Sequence, residues 1–156
     1  MESLLFKEVT NENLKAVWQL SDTLSDAQKK CVASNVKSLA QAYVNLNDAW
    51  PRAVYNGEEP IGFIMLHLHP DDHIPEADRP AMYLWRLMIA GPHQGKGYGK
   101  TVLDMLVEKG RVEGKKSLYL SCDTDAPMPY RFYLNYGFID TGKRDDDEQV
   151  LKYDIR

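Results

Sequence analysis

The residues best suited to chemistry stand together as Gln94-Gly95-Lys96-Gly97-Tyr98-Gly99-Lys100-Thr101. Three alternate glycines let a backbone approach a ligand closely, and two lysines add positive charge beside it. Where such a stretch leaves a strand and opens a helix, the unpaired N–H groups at the helix head attract an anion such as a phosphate. Two common phosphate loops do not fit. A P-loop requires four residues between its first glycine and Gly-Lys-Thr. Here Lys96, Gly97 and Tyr98 separate Gly95 from Gly99-Lys100-Thr101, and Gln94 stands where the glycine belongs. The dinucleotide fingerprint meets Lys100 at its third glycine when read from Gly95, and Val102 when read from Gly97.

A second group of candidates is His67, His69, Asp71, Asp72 and His73, side chains that first-row metals accept. A strand end followed by a polar loop yields the same composition, so no metal is expected. The acidic run Asp145-Asp146-Asp147-Glu148 reads as a charged hairpin turn.

These residues must be held by one compact domain spanning 1–156, since domains usually hold about 100–150 residues. The 44% apolar and 27% charged content is that of a globular chain, which excludes disordered and fibrous classes. With 19 basic against 23 acidic side chains the net charge is -4, and no basic stripe exists to neutralise phosphates, so nucleic acid is not an expected partner. Cys31 and Cys122 lack CxxC spacing, which argues against a disulfide framework and a zinc knuckle. No apolar run approaches the ~20 residues of a membrane span, so the expectation is a soluble, cytoplasmic protein with no membrane partner.

Periodicity places the elements. Residues 4–9 (LLFKEV) read as a strand, and Leu14, Val17, Trp18 and Leu20 recur at helical spacing. A second helix runs from about Asp26, with Val32, Val36, Leu39, Ala40 and Tyr43 as its apolar face, and Pro51 marks a finished helix. Residues 52–56 and 61–68 form a hairpin around Gly57-Glu58-Glu59-Pro60, and 69–80 is a loop. The nearly all-apolar 83–89 (YLWRLMI) suits a strand covered on both faces. The glycine turn then leads into a helix to about Val112, with Val102, Leu103, Leu106 and Val107 inward. A strand at 116–122, a short helix at 129–136 ending at Gly137, and strands at 138–143 and 149–155 complete the chain.

Gln94-x-x-Gly97-x-Gly99 resembles the acyl-CoA loop of the GCN5-related N-acetyltransferase (GNAT) family. The likeness extends upstream, where Leu87-Met88-Ile89 is similar to the family's central strand. Downstream, Tyr133-Leu134-Asn135-Tyr136-Gly137-Phe138 is similar to its closing tyrosine and Gly-Phe. It covers roughly residues 4–155 in matching element order. Two positions depart: the proline after the strand is shifted by one, giving Ala90-Gly91-Pro92, and the family's asparagine before the tyrosine is Ala126.

The resemblance implies an α/β fold with a mixed, mostly antiparallel central sheet flanked by helices and splayed at the acyl-CoA site. It also implies acetyl transfer from acetyl-CoA, as co-substrate, to a primary amine of a small molecule, with no metal. Leu87, Met88 and Ile89 would meet the pantetheine and the acetyl carbonyl, with main-chain contacts from Leu87 and Ile89. The amides of Gln94, Gly95, Lys96, Gly97, Tyr98, Gly99 and Lys100 would hold the pyrophosphate. Tyr133 would be the general acid for the departing thiolate, with Tyr130 and Tyr136 as neighbours of the same type. Among relatives the segment 83–100 looks most like the bacterial spermine/spermidine (diamine) acetyltransferases, so a polyamine is the expected acceptor, drawn by Asp71, Asp72, Glu76 and Asp78. The strand positions that often carry a carboxylate base are Trp85 and Arg86 here, and the base stays unassigned among His67, His69, Glu59 and Asp123. A peptide N-terminus, a lysine or an antibiotic amine remains open as acceptor. So does a CoA-binding sensor without turnover, although an intact Tyr133 disfavours it. A homodimer is equally open.

Overall fold

A computed structural model describes residues 3–125 and 129–156, the side chain of Asp71 excepted; Ala126 therefore lies outside the described residues. Seven strands form one sheet in the order β1-β2-β3-β4-β5-β7-β6. Chain packing divides into two compact units. One comprises Met1–Leu66 with Arg86–Val102, the other His67–Trp85 with Leu103–Arg156.

In the first unit, β1 (Leu4–Lys7) lies antiparallel to β2 (Ala49–Asn56), Leu4 opposite Asn56. A two-residue turn leads into β3 (Glu59–His67), whose 61–66 run is wholly buried. Such a run has no polar face because both sides of the strand are covered. The helices are shorter than the periodicity predicts. α1 (Leu14–Gln19) gives way to a 3-10 turn at Leu20–Thr23. The helix expected from Asp26 is two, α2 (Asp26–Lys29) and α3 (Asn35–Tyr43). Ser25 and Gln28 form a reciprocal capping box on α2, and the Ser34 hydroxyl accepts from Lys37 N–H to start α3 afresh.

The inward face of α3 also differs from the expected one. Asn35, Ser38 and Ala42 are buried, whereas Val36 is 54% and Tyr43 75% exposed. Asn35 can face inward because its hydrogen bonds are made: its N–H donates to Ser21 Oγ and its Nδ2 to Val17 O, both at 2.8 Å. Pro51 does not follow a helix end directly. It lies inside β2, after the turn that closes α3.

In the second unit, β5 (Ser117–Cys122) pairs antiparallel with β7 (Glu148–Asp154), which pairs in turn with β6 (Ile139–Asp145). β4 (Ala81–Ile89), of which the part up to Trp85 belongs to this unit, runs parallel to β5 over Ala81↔Ser117 to Tyr83↔Tyr119. Its chain continues through Ile89 beyond that pairing. α4 (Tyr98–Val112), from Leu103 onward, and α5 (Tyr130–Tyr136) supply the helices of this unit. Leu103, Leu106, Leu118, Leu120 and Leu151 are the fully buried centre of this unit. The stretch 69–80 has two 3-10 turns, Asp71–His73 and Glu76–Asp78, in place of a featureless loop. Among the described residues no helix is long and apolar enough to cross a membrane.

Candidate active site

The glycine loop sits where sequence places it, between the end of β4 and the head of α4. Gly95 and Gly97 have φ of +74° and +85°, the left-handed region that a side chain disfavours. A Cβ at either would meet nothing within 4 Å, so these glycines serve backbone shape and leave open space beside the chain. Thr101 N–H donates to Gly97 O at 3.3 Å, and the first-turn amides of α4 lie ahead of that bond. With Lys96 and Lys100 exposed beside them, the arrangement fits a pyrophosphate. The loop's first residue does something else. Gln94 N–H donates to Gly91 O at 3.2 Å, and its Nε2 donates to Ile89 O at 2.8 Å. Gln94 Oε1 in turn accepts from Gln28 Nε2 at 3.1 Å. Gln94 thus staples the loop to the strand end.

Two further braces were not visible as a local signal. Gly91 N–H donates to Thr23 Oγ1 at 2.8 Å, and a Cβ at Gly91 would lie 2.3 Å from Thr23 O. Asn56 Nδ2 donates to Tyr98 Oη at 3.2 Å, fixing the helix head to β2. Only the chemistry of the partners, far away in sequence, distinguishes these residues from ordinary polar ones.

Of the strand residues, Met88 is buried at 5% exposure. Its carbonyl faces β3, where a Cβ at Gly62 would come within 2.6 Å of it, and Ala90 N–H donates to Ile61 O at 2.8 Å. Strand alternation then turns the N–H and C=O of Leu87 and Ile89 to the edge away from β3. Ile89 O already accepts from Gln94, which leaves Leu87 C=O and both N–H groups on that edge. Arg86, also on β4, donates from Nη2 to Gln41 Oε1 on α3 at 2.9 Å.

In the second unit Tyr133 is 6% exposed, packed against Phe132 and Phe138 with ring centroids 5.3 and 5.4 Å away. Burial, with a smaller contribution from Cys122, holds its hydroxyl proton well above the usual tyrosine range. Burial likewise pushes the Cys122 thiol up to about 12. The neighbouring tyrosines are bonded to carboxylates: Tyr130 donates to Asp140 at 2.7 Å and Tyr136 to Asp104 at 2.8 Å.

The candidate bases and metal ligands disperse. β3 ends at His67, so His69 does not share its strand face and stands exposed on the following turn. His67 stacks obliquely on Trp85, centroids 6.1 Å apart. Glu59 reaches His93 Nε2 at 3.4 Å, and Asp123 caps the amide of Asp125. Among the described residues no group of three His, Cys, Asp or Glu side chains is placed to hold a metal ion.

The second unit also contains a cleft of about 770 Å³, lined by His67 at the end of β3, by the 3-10 turns and by β4, β5, β6 and β7. Asp78 stands in its wall. It accepts from the Tyr119 hydroxyl and from Lys152 Nζ at 3.4 Å. The Tyr119 bond first, then Lys152, hold the Asp78 carboxyl below its usual range, while burial first and then Asp78 raise Tyr119. Asp72 and Glu76 are exposed. Of the acids expected to gather a cation, Asp72 and Glu76 therefore differ from Asp78, which already has a cation, and the side chain of Asp71 lies outside the described residues.

A mixed α/β sheet with a left-handed glycine turn at the head of a long helix suits an acyltransferase. The family model for the acetyltransferase (GNAT) family matches residues 12–138, and the chain belongs to that family. It is similar to the spermine/spermidine N(1)-acetyltransferase of Bacillus subtilis (strain 168), 28% identical over 151 residues, 96% of this chain and 97% of that protein. An uncharacterised N-acetyltransferase of the same organism, YbbJ, is 26% identical over 127 residues, 80% of this chain and 79% of the other. Among solved structures, the PaiA N-acetyltransferase of Thermoplasma acidophilum in complex with coenzyme A superposes with a TM-score of 0.66 at 19% identity, covering 97% of this chain and 99% of that one.

Proposed function

We propose that the chain transfers the acetyl group of acetyl-CoA to the primary amine of a small molecule. The observation that carries this reading is the left-handed Gly95–Gly97 turn, stapled by Gln94 to Ile89 O and opening onto the first-turn amides of α4. The pyrophosphate would lie on those amides and the pantetheine along the free edge of Leu87 and Ile89. The amine nitrogen attacks the thioester carbonyl, the C–N bond forms and the C–S bond breaks. A backbone N–H on the β4 edge stabilises the oxygen as it gains charge. Before the attack the ammonium loses one proton to water or to a base; Tyr133 then gives its hydroxyl proton to the departing sulfur, and the second proton, shed by the nitrogen after the C–N bond forms, restores the tyrosine through water.

The direction of the Tyr133 shift bears on that step. Each unit of pKa separating the tyrosine from the thiol makes the transfer about 1.4 kcal/mol more uphill. The same burial that raises the tyrosine would also raise a thiolate brought against it, so the two move together. An amine of pKa ~10.4 needs ~4–5 kcal/mol to lose its proton at neutral pH, comparable in size.

A polyamine acceptor is supported by the spermine/spermidine relative that matches nearly end to end, and by exposed Asp72 and Glu76. Against it stands the cleft, which carries more cations than carboxylates. The test is calorimetry with acetyl-CoA and ATP, followed by thiol release from acetyl-CoA across an amine panel. Binding of acetyl-CoA but not ATP, with thiol released only when an amine is added, is the expected result. Tight ATP binding without CoA binding would overturn the reading.

A further inference from the structure

The cleft of the second unit has a chemistry that the acetyl-CoA reading does not use. Its walls are rings, Tyr83 and Trp85 from β4, Tyr119 from β5 and the imidazoles of His67 and His73, His67 lying against Trp85. Ile74, only 2% exposed, packs with Tyr83, Tyr119 and Val150 into one apolar cluster behind them. Three cations line it, Lys143 and Arg144 from β6 and Lys152 from β7, against two carboxylates, Asp78 and Asp145. Asp78 and Lys152 neutralise one another, and the Tyr119 hydroxyl takes up another lone pair of Asp78. What faces a ligand is Lys143 and Arg144 with Asp145 beside them, an excess of one positive charge. Both cations are exposed at the rim, and Arg144 is oriented by donating from Nη2 to Asp147 O at 2.9 Å.

We propose that this cleft is the acceptor site and that it selects a primary amine built on an aromatic or apolar body and carrying one carboxylate, which Lys143 and Arg144 hold. The inference rests on the reading of the chain as an amine acetyltransferase and names the class of amine. Rings and aliphatic walls reward a flat apolar body. The arginine fork matches a carboxylate, and the lysine adds a point charge. A polycation meets the opposite: its ammonium groups would face the excess positive charge, while the wall carboxylate is bonded to Lys152 and Tyr119. Trp85 stands two positions before Leu87 in the sequence of β4.

The test uses amines that differ by the carboxylate alone. The pairs are 4-(aminomethyl)benzoate with benzylamine and L-phenylalanine with 2-phenylethylamine, and spermidine stands beside them. With acetyl-CoA saturating, the acid of at least one pair should exceed its partner in kcat/KM by roughly tenfold, the worth of one charge-assisted contact. Lys143→Gln with Arg144→Gln should bring that ratio to about one, chiefly by raising the KM of the acid. These side chains are exposed, so the variant is expected to fold, and an unchanged melting curve checks it. Preference for spermidine, with no KM in the set moved by the double variant, overturns the proposal and leaves the transferase reading intact. Failure of acetyl-CoA to bind strikes the transferase reading instead. In that event calorimetry with 4-(aminomethyl)benzoate still decides about the cleft: binding lost in the double variant sustains it, and absence of binding in the unaltered protein overturns it.

Discussion

The glycine loop and the cleft are built on opposite plans. The loop is eight contiguous residues whose working groups are main-chain amides, and its side chains mainly hold its shape, Gln94 on Ile89 being the clearest case. The cleft is made of side chains drawn from five strands and the two turns, and its backbone merely carries them. A ligand common to many enzymes can be held by main chain, because backbone geometry survives most substitutions. The ligand that differs from enzyme to enzyme has to be read by side chains. Changes of conformation should therefore damage the loop, and changes of charge or ring should damage the cleft.

The largest effect is expected at neither. Tyr133→Phe removes one buried hydroxyl without disturbing the ring contacts to Phe132 and Phe138. General acid catalysis contributes about 10²–10⁴-fold, so turnover should fall by that range while acetyl-CoA affinity holds. Wild-type turnover in single-turnover kinetics would make Tyr133 a packing residue. At the loop, Gly97→Val forces a β-branched side chain to φ +85° and places it in the open space beside the turn. Strain of roughly 1–3 kcal/mol, with the filled space beside the turn, should weaken acetyl-CoA binding by about 5- to 150-fold. Gly97→Ala should strain the turn and fill less, so a series from Gly through Ala to Val separates the two contributions by calorimetry.

The same contrast explains what the sequence made legible. Gln94-x-x-Gly97-x-Gly99 is contiguous, and its physical need for positive φ falls on glycines that can be read directly. The β4 run and the hairpin before it were legible for the same local reason. Periodicity misassigned α3 because Asn35 and Ser38 bury polar groups that are hydrogen-bonded, while Val36 and Tyr43 face out. It also carried one helix through 30–34, where Ser34 begins a new one. The cleft was illegible. Asp78 reads as one acid among four in a polar loop, and its partner Lys152 lies 74 residues away. Lys143 and Arg144 read as the edge of a charged hairpin. No spacing rule links them to Tyr83 or Tyr119.

A smaller effect sharpens the loop's side of the contrast. Gln94→Ala deletes the bonds to Ile89 O and Gln28 and leaves the amides in place. Loss of a shape-holding bond costs about 1 kcal/mol, so acetyl-CoA should bind roughly fivefold more weakly. Lys100→Ala removes an exposed charge at the helix head and should cost about 1 kcal/mol or less, an effect that shrinks as salt is added. If Lys100→Ala proved far worse than Gln94→Ala, charge rather than shape would govern the loop.

The smallest effect belongs to acid and should fall on the cleft alone. Asp78 is held below its ordinary carboxyl range, first by the Tyr119 hydroxyl and then by Lys152. A carboxyl lowered on folding contributes stability that is fully present above its unfolded value, near 3.9, and that is lost as the pH falls through its lower folded value. The pair is partly exposed, Lys152 at 27% and Asp78 at 17%, so screening limits its worth to about 1 kcal/mol or less. Thermal melting of the protein and of Asp78→Asn should differ by a constant amount from neutral pH down to about pH 4, and the two curves should converge only below it. Across that acid range the wall that Asp78 holds between Tyr119 and Lys152 loosens, whereas the Gly95–Gly97 turn contains no carboxyl group. Acid should therefore weaken binding of 4-(aminomethyl)benzoate more in the protein than in Asp78→Asn, a comparison in which protonation of the ligand's own carboxylate cancels, before the turn itself changes, as read by proton exchange of the loop amides. Convergence of the melting curves at a higher pH would mean that Asp78 is not held by these partners, and the contrast between a main-chain loop and a side-chain cleft would lose its pH signature.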